Sequence, residues 1–290
     1  MQYPYFLSVS GVGLLLESDQ PLSECDAFLP FRTEPSVYDY RAVFRKAAVL
    51  PSVPKKELYR EECYRIGRSE TGNIQKFFFE KPTDPVCYAV AEYDITNRNI
   101  LVSYLEEYSH CVSEIRNCFF HLGFEDILLD QEKMSFHASC VETPLGGLLF
   151  SGVSGIGKST QANLWCSHRG ARQINGDRPI LSKEPEGWYA WGSPYAGSSR
   201  CYVNDCCPVT AILLLKQGKK CSLRRLTLPE AFRGVWAGLT VRTWDPSSVN
   251  RASALALELV QTVPVFEFCC TPDELAVDYL ERELRKELGL

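Results

Sequence analysis

No stretch of this chain approaches the ~18 consecutive apolar residues of a membrane-spanning helix, so no transmembrane helix, and no membrane partner, is expected. A basic excess is missing too. The formal net charge is −5, whereas a nucleic-acid-binding surface normally shows surplus Lys and Arg, so nucleic acid is not an expected partner. The opening Met1-Gln2-Tyr3-Pro4-Tyr5 has neither the basic start nor the long apolar run of a secretory signal, and a cytoplasmic site of action is the expectation. Cysteine is plentiful at thirteen residues, but C-x-x-C spacing is absent, and the doublets Cys206-Cys207 and Cys269-Cys270 cannot chelate one ion in the usual loop geometry. The four histidines, His110, His121, His137 and His168, are scattered away from paired cysteines. A structural zinc or iron–sulfur centre is therefore not expected, and the thiols read as core filling in a reducing compartment. There is no internal repeat and no low-complexity tract. What is present, 45% hydrophobic and 23% charged residues over 290 positions, is the composition of a globular protein with room for one large domain or two modest ones.

Against that background one segment stands out: Gly152-Val153-Ser154-Gly155-Ile156-Gly157-Lys158-Ser159, followed by Thr160. It is a full G-x-x-x-x-G-K-[ST] phosphate-binding loop. The apolar Gly147-Leu148-Leu149-Phe150 before it reads as a strand, and Thr160-Gln161-Ala162-Asn163-Leu164-Trp165 after it as the opening of a helix. Glycines let the backbone turn tightly, so that successive N–H groups from Gly152 to Thr160 can point at phosphate oxygens. The positive end of the following helix adds to that field. Lys158 is placed to reach the terminal phosphates and Ser159 to bind Mg²⁺. Binding of ATP, or of another nucleoside triphosphate, with Mg²⁺ is the expectation.

The pattern along the chain implies an α/β protein. Tyr5–Glu17, Arg41–Leu50, Arg65–Arg68, Gln75–Glu80, Cys87–Asp94 and Asn99–Leu105 read as strands, with Ser69-Glu70-Thr71-Gly72-Asn73 as a hairpin turn. From about Tyr108 the period becomes helical: Cys111, Ile115, Cys118, Phe119 and Leu122 predict one amphipathic helix over 107–122, capped by Gly123. This divides the chain into a β-rich N-terminal portion, 1–105, and a nucleotide-binding core, 106–290. With no Pro/Gly/Ser linker between them, the two are expected to pack as one body. Downstream come a strand at 172–174, a hairpin through Glu184-Pro185-Glu186-Gly187, an apolar strand at 209–216, a helix capped by Pro246-Ser247-Ser248 and running to about Thr262, and a strand at 263–269. A last helix starts at Pro272, with Leu275, Val277, Tyr279, Leu280, Leu284 and Leu288 as its buried face. Because short hairpins join several of these strands, the sheet of the core should be mixed.

Three kinds of side chain could serve chemistry beside the loop. Asp177, in Ile174-Asn175-Gly176-Asp177-Arg178-Pro179, is an acid at a strand end, where a Mg²⁺ ligand or a base for an attacking hydroxyl is needed; its plain reading is a turn cap before Pro179. His137, in Phe136-His137-Ala138-Ser139-Cys140, sits on an apolar strand and by spacing alone reads as a core residue. Arginines stabilise charge on a migrating phosphoryl group, and Arg178 and Arg200 lie in segments expected near the phosphates.

Taken together, His137-Ala138-Ser139, the loop Ser151–Thr160 and the Gly176-Asp177 turn resemble the HPr kinase/phosphorylase family, related to phosphoenolpyruvate carboxykinases, and in particular stand-alone HPr-kinase-like proteins. Some such relatives phosphorylate a serine on ribosomally made peptides. The resemblance covers about residues 134–202. It implies a P-loop kinase core with a mixed β-sheet, in which Lys158 holds the β- and γ-phosphates, Ser159 and Asp177 serve the metal, and His137 stands close to the loop. There are departures. The family has two consecutive aspartates in the turn, and here the first position is Gly176; its E-x-R-G-x-G signature is absent, and Trp191–Ser198 takes its place. Neither the reverse phosphorylase reaction nor HPr as acceptor is carried over.

The resulting expectation is an ATP- and Mg²⁺-dependent kinase that passes the γ-phosphoryl group to a hydroxyl, most simply a serine of a peptide or protein partner. Lys158, Asp177, His137, Arg178 and Arg200 are its catalytic candidates. The alternatives are a small-molecule hydroxyl kinase and a nucleotide-binding regulatory module without transfer. A homo-oligomer is compatible with either.

Overall fold

The computed structural model describes residues 2–81 and 86–289. The chain forms two compact units, Met1–Phe124 and Glu125–Leu290.

The first unit is built on an eight-stranded sheet. Its strands are β1 (Tyr3–Val9), β2 (Val12–Ser18), β3 (Tyr40–Lys46), β4 (Tyr59–Arg60), β5 (Tyr64–Arg68), β6 (Ile74–Phe79), β7 (Cys87–Asp94) and β8 (Asn99–Tyr104), in the order β1-β2-β3-β8-β7-β6-β5-β4. Ser10 and Gly11, both at positive φ, turn β1 into β2. One helix, α1 (Ile115–Leu122), packs its Ile115, Cys118, Phe119 and Leu122 into the core and ends on Gly123 in the left-handed region (φ 61°). The rings of Phe28 and Phe119 meet edge to face at 5.0 Å. His121 belongs to this core: Tyr88 Oη lies 3.1 Å from its Nε2, and burial holds its pKa down at about 4. The single helix expected over 107–122 is two pieces, a 3-10 stretch at Glu106–Val112 and then α1. The break falls where the backbone of Ser23 takes the partners a continuous helix would use: its N–H donates to the Ser113 carbonyl (2.8 Å) and its carbonyl accepts from Ile115 N (3.1 Å).

The helix α2 (Phe124–Asp130) starts on the last residue of the first unit and otherwise lies in the second, which contains β9 (Lys133–Ser135), β10 (Ala138–Thr143), β11 (Gly146–Ser151), α3 (Lys158–Arg169), β12 (Arg172–Asn175), β13 (Ile180–Glu184), β14 (Gly187–Trp191), β15 (Cys206–Gln217), β16 (Ser222–Arg225), α4 (Leu228–Trp236), α5 (Pro246–Thr262), β17 (Val265–Cys270) and α6 (Glu274–Leu288). Its nine strands form a mixed sheet in the order β12-β10-β11-β15-β14-β13-β9, with β17 beside β15 and β16 beside β17. β11, β15 and β17 are parallel neighbours, and the remaining pairs are antiparallel. The short hairpins read in the sequence account for that mixture. β15 is long enough to serve both regimes: Cys206–Pro208 pairs antiparallel with β14, and the residues after it pair parallel with β11 and β17.

Strand alternation gives this sheet two apolar faces. Leu148, Phe150, Leu213 and Phe268 pack against Ala162 and Trp165 of α3 and against Val277, Leu280 and Leu284 of α6. Leu149, Ile212 and Val265 point the other way, onto Val235 of α4 and Ala252 and Leu259 of α5. The unit is thus a helix–sheet–helix sandwich. α6 starts two residues later than Pro272 suggested, after Asp273, and turns Leu275 outward at 69% exposure. Its buried face is Ala276, Val277, Leu280 and Leu284, a 3.6-residue stripe that Leu275 does not join.

Trp165 tests the α3 face, because it is 1% exposed and its indole N–H has no partner among the described residues. Trp165→Ala should lower unfolding stability by about 3–5 kcal/mol in urea titration. Trp165→Phe, which keeps most of the volume and removes the unpaired donor, should cost less than about 1.5 kcal/mol.

Candidate functional site

The pairing of three strands brings distant residues to one edge of the second sheet. β10 runs antiparallel to β11, with Ala138 opposite Ser151, so the residue before β10, His137, lies at the point where β11 ends and the glycine loop begins. Ser151 Oγ donates to the His137 carbonyl at 2.8 Å. β12 is antiparallel to β10 in turn, with Asn175 opposite Cys140, and delivers the Gly176–Pro179 turn to the same edge.

The loop from Gly152 to Gly157 leaves β11 with Gly152 at φ 141° and enters α3 with Gly157 at φ 113°, conformations an L side chain rarely adopts. Gly157 is the N-cap of α3 and offers no side-chain cap, so the first-turn amides of Lys158, Ser159 and Thr160 keep their hydrogen-bonding capacity. Lys158 is buried, and its Nζ donates back to the carbonyls of Gly152 (3.1 Å) and Val153 (3.3 Å), which holds the ammonium across the loop. Burial lowers its pKa, Asp177 raises it, and Arg178 lowers it again, which places all three charges within electrostatic reach of one another.

The acidic turn is held from several sides. Asn175, fully buried, accepts from the backbone N–H of Asp177 (2.9 Å) and Arg178 (2.7 Å) through Oδ1. Ala138 N donates to the Asp177 carbonyl (3.0 Å) and Ser139 Oγ to that of Gly176 (2.8 Å). At Gly176 there is no room for a side chain: a Cβ there would lie 2.0 Å from Ser199 Oγ and 2.9 Å from the Ala196 carbonyl. Glycine in the first position of the turn, the departure from two consecutive aspartates, thus has a packing cause.

From this turn the Asp177 carboxylate meets His137, Oδ1 to Nε2 at 3.3 Å. The His137 pKa is nevertheless lowered: burial and the cations Lys158 and Arg178 outweigh the carboxylate. The shift favours the neutral imidazole, whose Nε2 faces the Asp177 carboxylate. Arg178 Nη1 donates to Thr240 Oγ1 at 2.7 Å. Thr240 arrives on a segment that pairs with the strand edge, through His137 N to Gly238 O (2.8 Å) and Thr240 N to Ser135 O (3.1 Å).

Four of the residues picked from sequence, Lys158, Asp177, His137 and Arg178, thus share one electrostatic neighbourhood. Arg200 ends the Gly197–Ser199 turn beside Asp177, but it is exposed and, among the described residues, has no hydrogen bond or ion pair to the other four. Asn175, Ser193 and Thr240 went unnoticed in the sequence. Asn before Gly-Asp is a turn signal that could have flagged the first; the other two reach the site only through tertiary pairing. On the other side of the α3 N-terminus, a cleft of 390 Å³ is lined by Gly155, Gly157, Thr160, Gln161, Gln217 and Thr271. Among the described residues no group of three His, Cys, Asp or Glu side chains could hold a metal by itself, and all thirteen cysteines are unpaired.

No protein-family model matches the sequence, and comparison with curated proteins finds no match. Among solved structures, the chain is similar to the Hpr(Ser) kinase/phosphatase from Coxiella burnetii, at 15% sequence identity over 54% of this chain and 99% of that one, with a TM-score of 0.35.

Proposed function

We propose that this chain is an ATP- and Mg²⁺-dependent kinase acting on a hydroxyl, with a serine of a peptide or protein as acceptor. The observation that carries the reading is the arrangement of Lys158, Asp177, His137 and Arg178 around the mouth of the glycine loop. The loop amides from Gly152 to Thr160 would hold the triphosphate, and the 390 Å³ cleft past Gly157 would take the base. Ser159 and Asp177 would be the protein ligands of Mg²⁺, an ion usually held by one or two carboxylates together with phosphates and water, and the ion would neutralise charge on the phosphate oxygens. Lys158 and Arg178 stabilise charge on the migrating group. As the acceptor oxygen bonds to the γ-phosphorus and the bond to the β–γ bridging oxygen breaks, the hydroxyl proton passes to the Asp177–His137 pair.

A regulatory nucleotide-binding module without transfer is the second reading, favoured by the single carboxylate in the turn. Mg²⁺-dependent consumption of ATP in the presence of cell extract separates the two, since only the kinase consumes nucleotide.

Removing the ammonium in Lys158→Ala should reduce transfer at least ~10²-fold, in line with other electrostatic groups at reacting charges; retained transfer would exclude the reading. Sulfate or phosphate should occupy the loop in crystals grown without nucleotide, contacting the Lys158 ammonium and the amides up to Thr160. The acid limb of kcat/KM follows from His137. Its pKa is depressed, so the imidazole is neutral above that value and protonates as pH falls through it. Activity should hold at neutral pH and decline only below the ordinary histidine range near ~6.5, and His137→Gln should abolish that limb.

A further inference from the structure

We infer that Asn175 and Ser193 form a positioning pair that aims Asp177 and Arg178 at the phosphate loop; this rests on the kinase reading above. The two side chains form a buried hydrogen-bonded network under the turn, beside the separate bond from Ser139 Oγ to the Gly176 carbonyl. Asn175 is 0% exposed and Ser193 1%. The Asn175 amide is used at both ends: Oδ1 accepts from the N–H groups of Asp177 and Arg178, while Nδ2 donates to the carbonyl (3.2 Å) and Oγ (3.3 Å) of Ser193. Ser193 Oγ then donates to the Arg178 carbonyl at 2.6 Å, closing a ring of hydrogen bonds around the turn, and accepts from Tyr195 N at 3.2 Å.

The chemistry required at position 175 is specific. One atom must accept from two amides, and another must donate to Ser193. Aspartate supplies only acceptors; serine and threonine are too short to span both sides; leucine supplies neither. The amide also leaves the pair uncharged beneath the Asp177 carboxylate, where a second buried carboxylate would repel it. The ring fixes two consecutive backbone N–H groups, so it sets the directions in which the Asp177 and Arg178 side chains depart. Gly176 is wedged against Ser199 and Ala196, which leaves the turn no room to shift sideways on that flank. Losing the ring frees the other flank. Misplacement of a catalytic group by ~1 Å is worth up to about 10²-fold in rate, whereas the glycine loop, built on a different strand, is left intact.

The test compares Asn175→Ala, Ser193→Ala and the double variant with wild type, Lys158→Ala and Asp177→Asn. Three quantities are read: release of ³²P-phosphate from [γ-³²P]ATP to water, KM for MgATP, and affinity of the ADP complex for Mn²⁺ by electron paramagnetic resonance. Asn175→Ala should lower kcat by about 10- to 100-fold with KM for ATP changed less than about threefold, and should weaken Mn²⁺ binding as Asp177→Asn does. The double variant should be no worse than Asn175→Ala, because the two side chains act as one unit. Unchanged kcat and Mn²⁺ affinity in Asn175→Ala, with Asp177→Asn impaired, would overturn the pairing and leave the kinase reading standing. Unaltered behaviour of Lys158→Ala and Asp177→Asn would overturn both. If Asn175→Ala does not fold, Ser193→Ala decides: it removes one donor and should show the same kcat-against-KM split at smaller size, whereas equal losses in kcat and bound nucleotide would mark a purely structural role.

Discussion

Everything at the candidate site depends on the antiparallel pairing of β10 with its two neighbours. Because β10 runs opposite to both β11 and β12, its first residues lie beside the last residues of each. The start of one strand and the ends of two others therefore meet at one sheet edge. That geometry collects His137, the glycine loop and the Asp177 turn from positions that are far apart along the chain. A parallel arrangement of the same three strands would send the Asp177 turn to the far end of the sheet from His137. The backbone carries the arrangement further: Ala138 N holds the Asp177 carbonyl, and Ser151 Oγ holds that of His137, so the three segments are bonded directly to one another.

Charge at this edge is unevenly balanced. Lys158 and Arg178 bring two cations, against one carboxylate, and His137 stays neutral because those cations and its own burial oppose a third positive charge. A region with more positive than negative charge, open backbone amides at a helix N-terminus and a buried ammonium attracts a polyanion. Asp177 is not lost in that field. Its carboxylate faces His137, Oδ1 to Nε2 at 3.3 Å, and brings negative charge beside the two cations.

Much of this was legible in the sequence, because the informative features were local. The spacing of Gly152, Gly157, Lys158 and Ser159 encodes a loop that needs positive φ and a helix start, and both are present. Turn chemistry and apolar period located α5, although its cap is Asp245 rather than the Pro246-Ser247-Ser248 segment, and predicted a mixed sheet. What failed to show was tertiary. A continuous helix over 107–122 was the local optimum, but Ser23, distant in sequence, captures the backbone groups around Ser113. Leu275 fits an apolar list, yet the helix phase set by Val277, Leu280 and Leu284 turns it outward. The same limit hid Thr240 and Ser193, neither of which has a sequence pattern of its own. Gly176 looked like a defect in an acidic motif and is instead the residue that lets the turn pack against Ser199. The membrane expectation concerns helices alone: among the described residues no helix is long and apolar enough to cross a bilayer.

If the chain is the kinase proposed above, the Asp177 turn and the Lys158 loop act together on one phosphoryl group. The most direct measurement is transfer of ³²P from [γ-³²P]ATP, with Mg²⁺, to peptides in extract from the source cell, followed by phosphoamino-acid analysis, for the wild-type chain and Asp177→Asn. Label should appear on serine for the wild type and be lost in the variant with nucleotide still bound. Nucleotide binding by both proteins with no label on any peptide from either would contradict it.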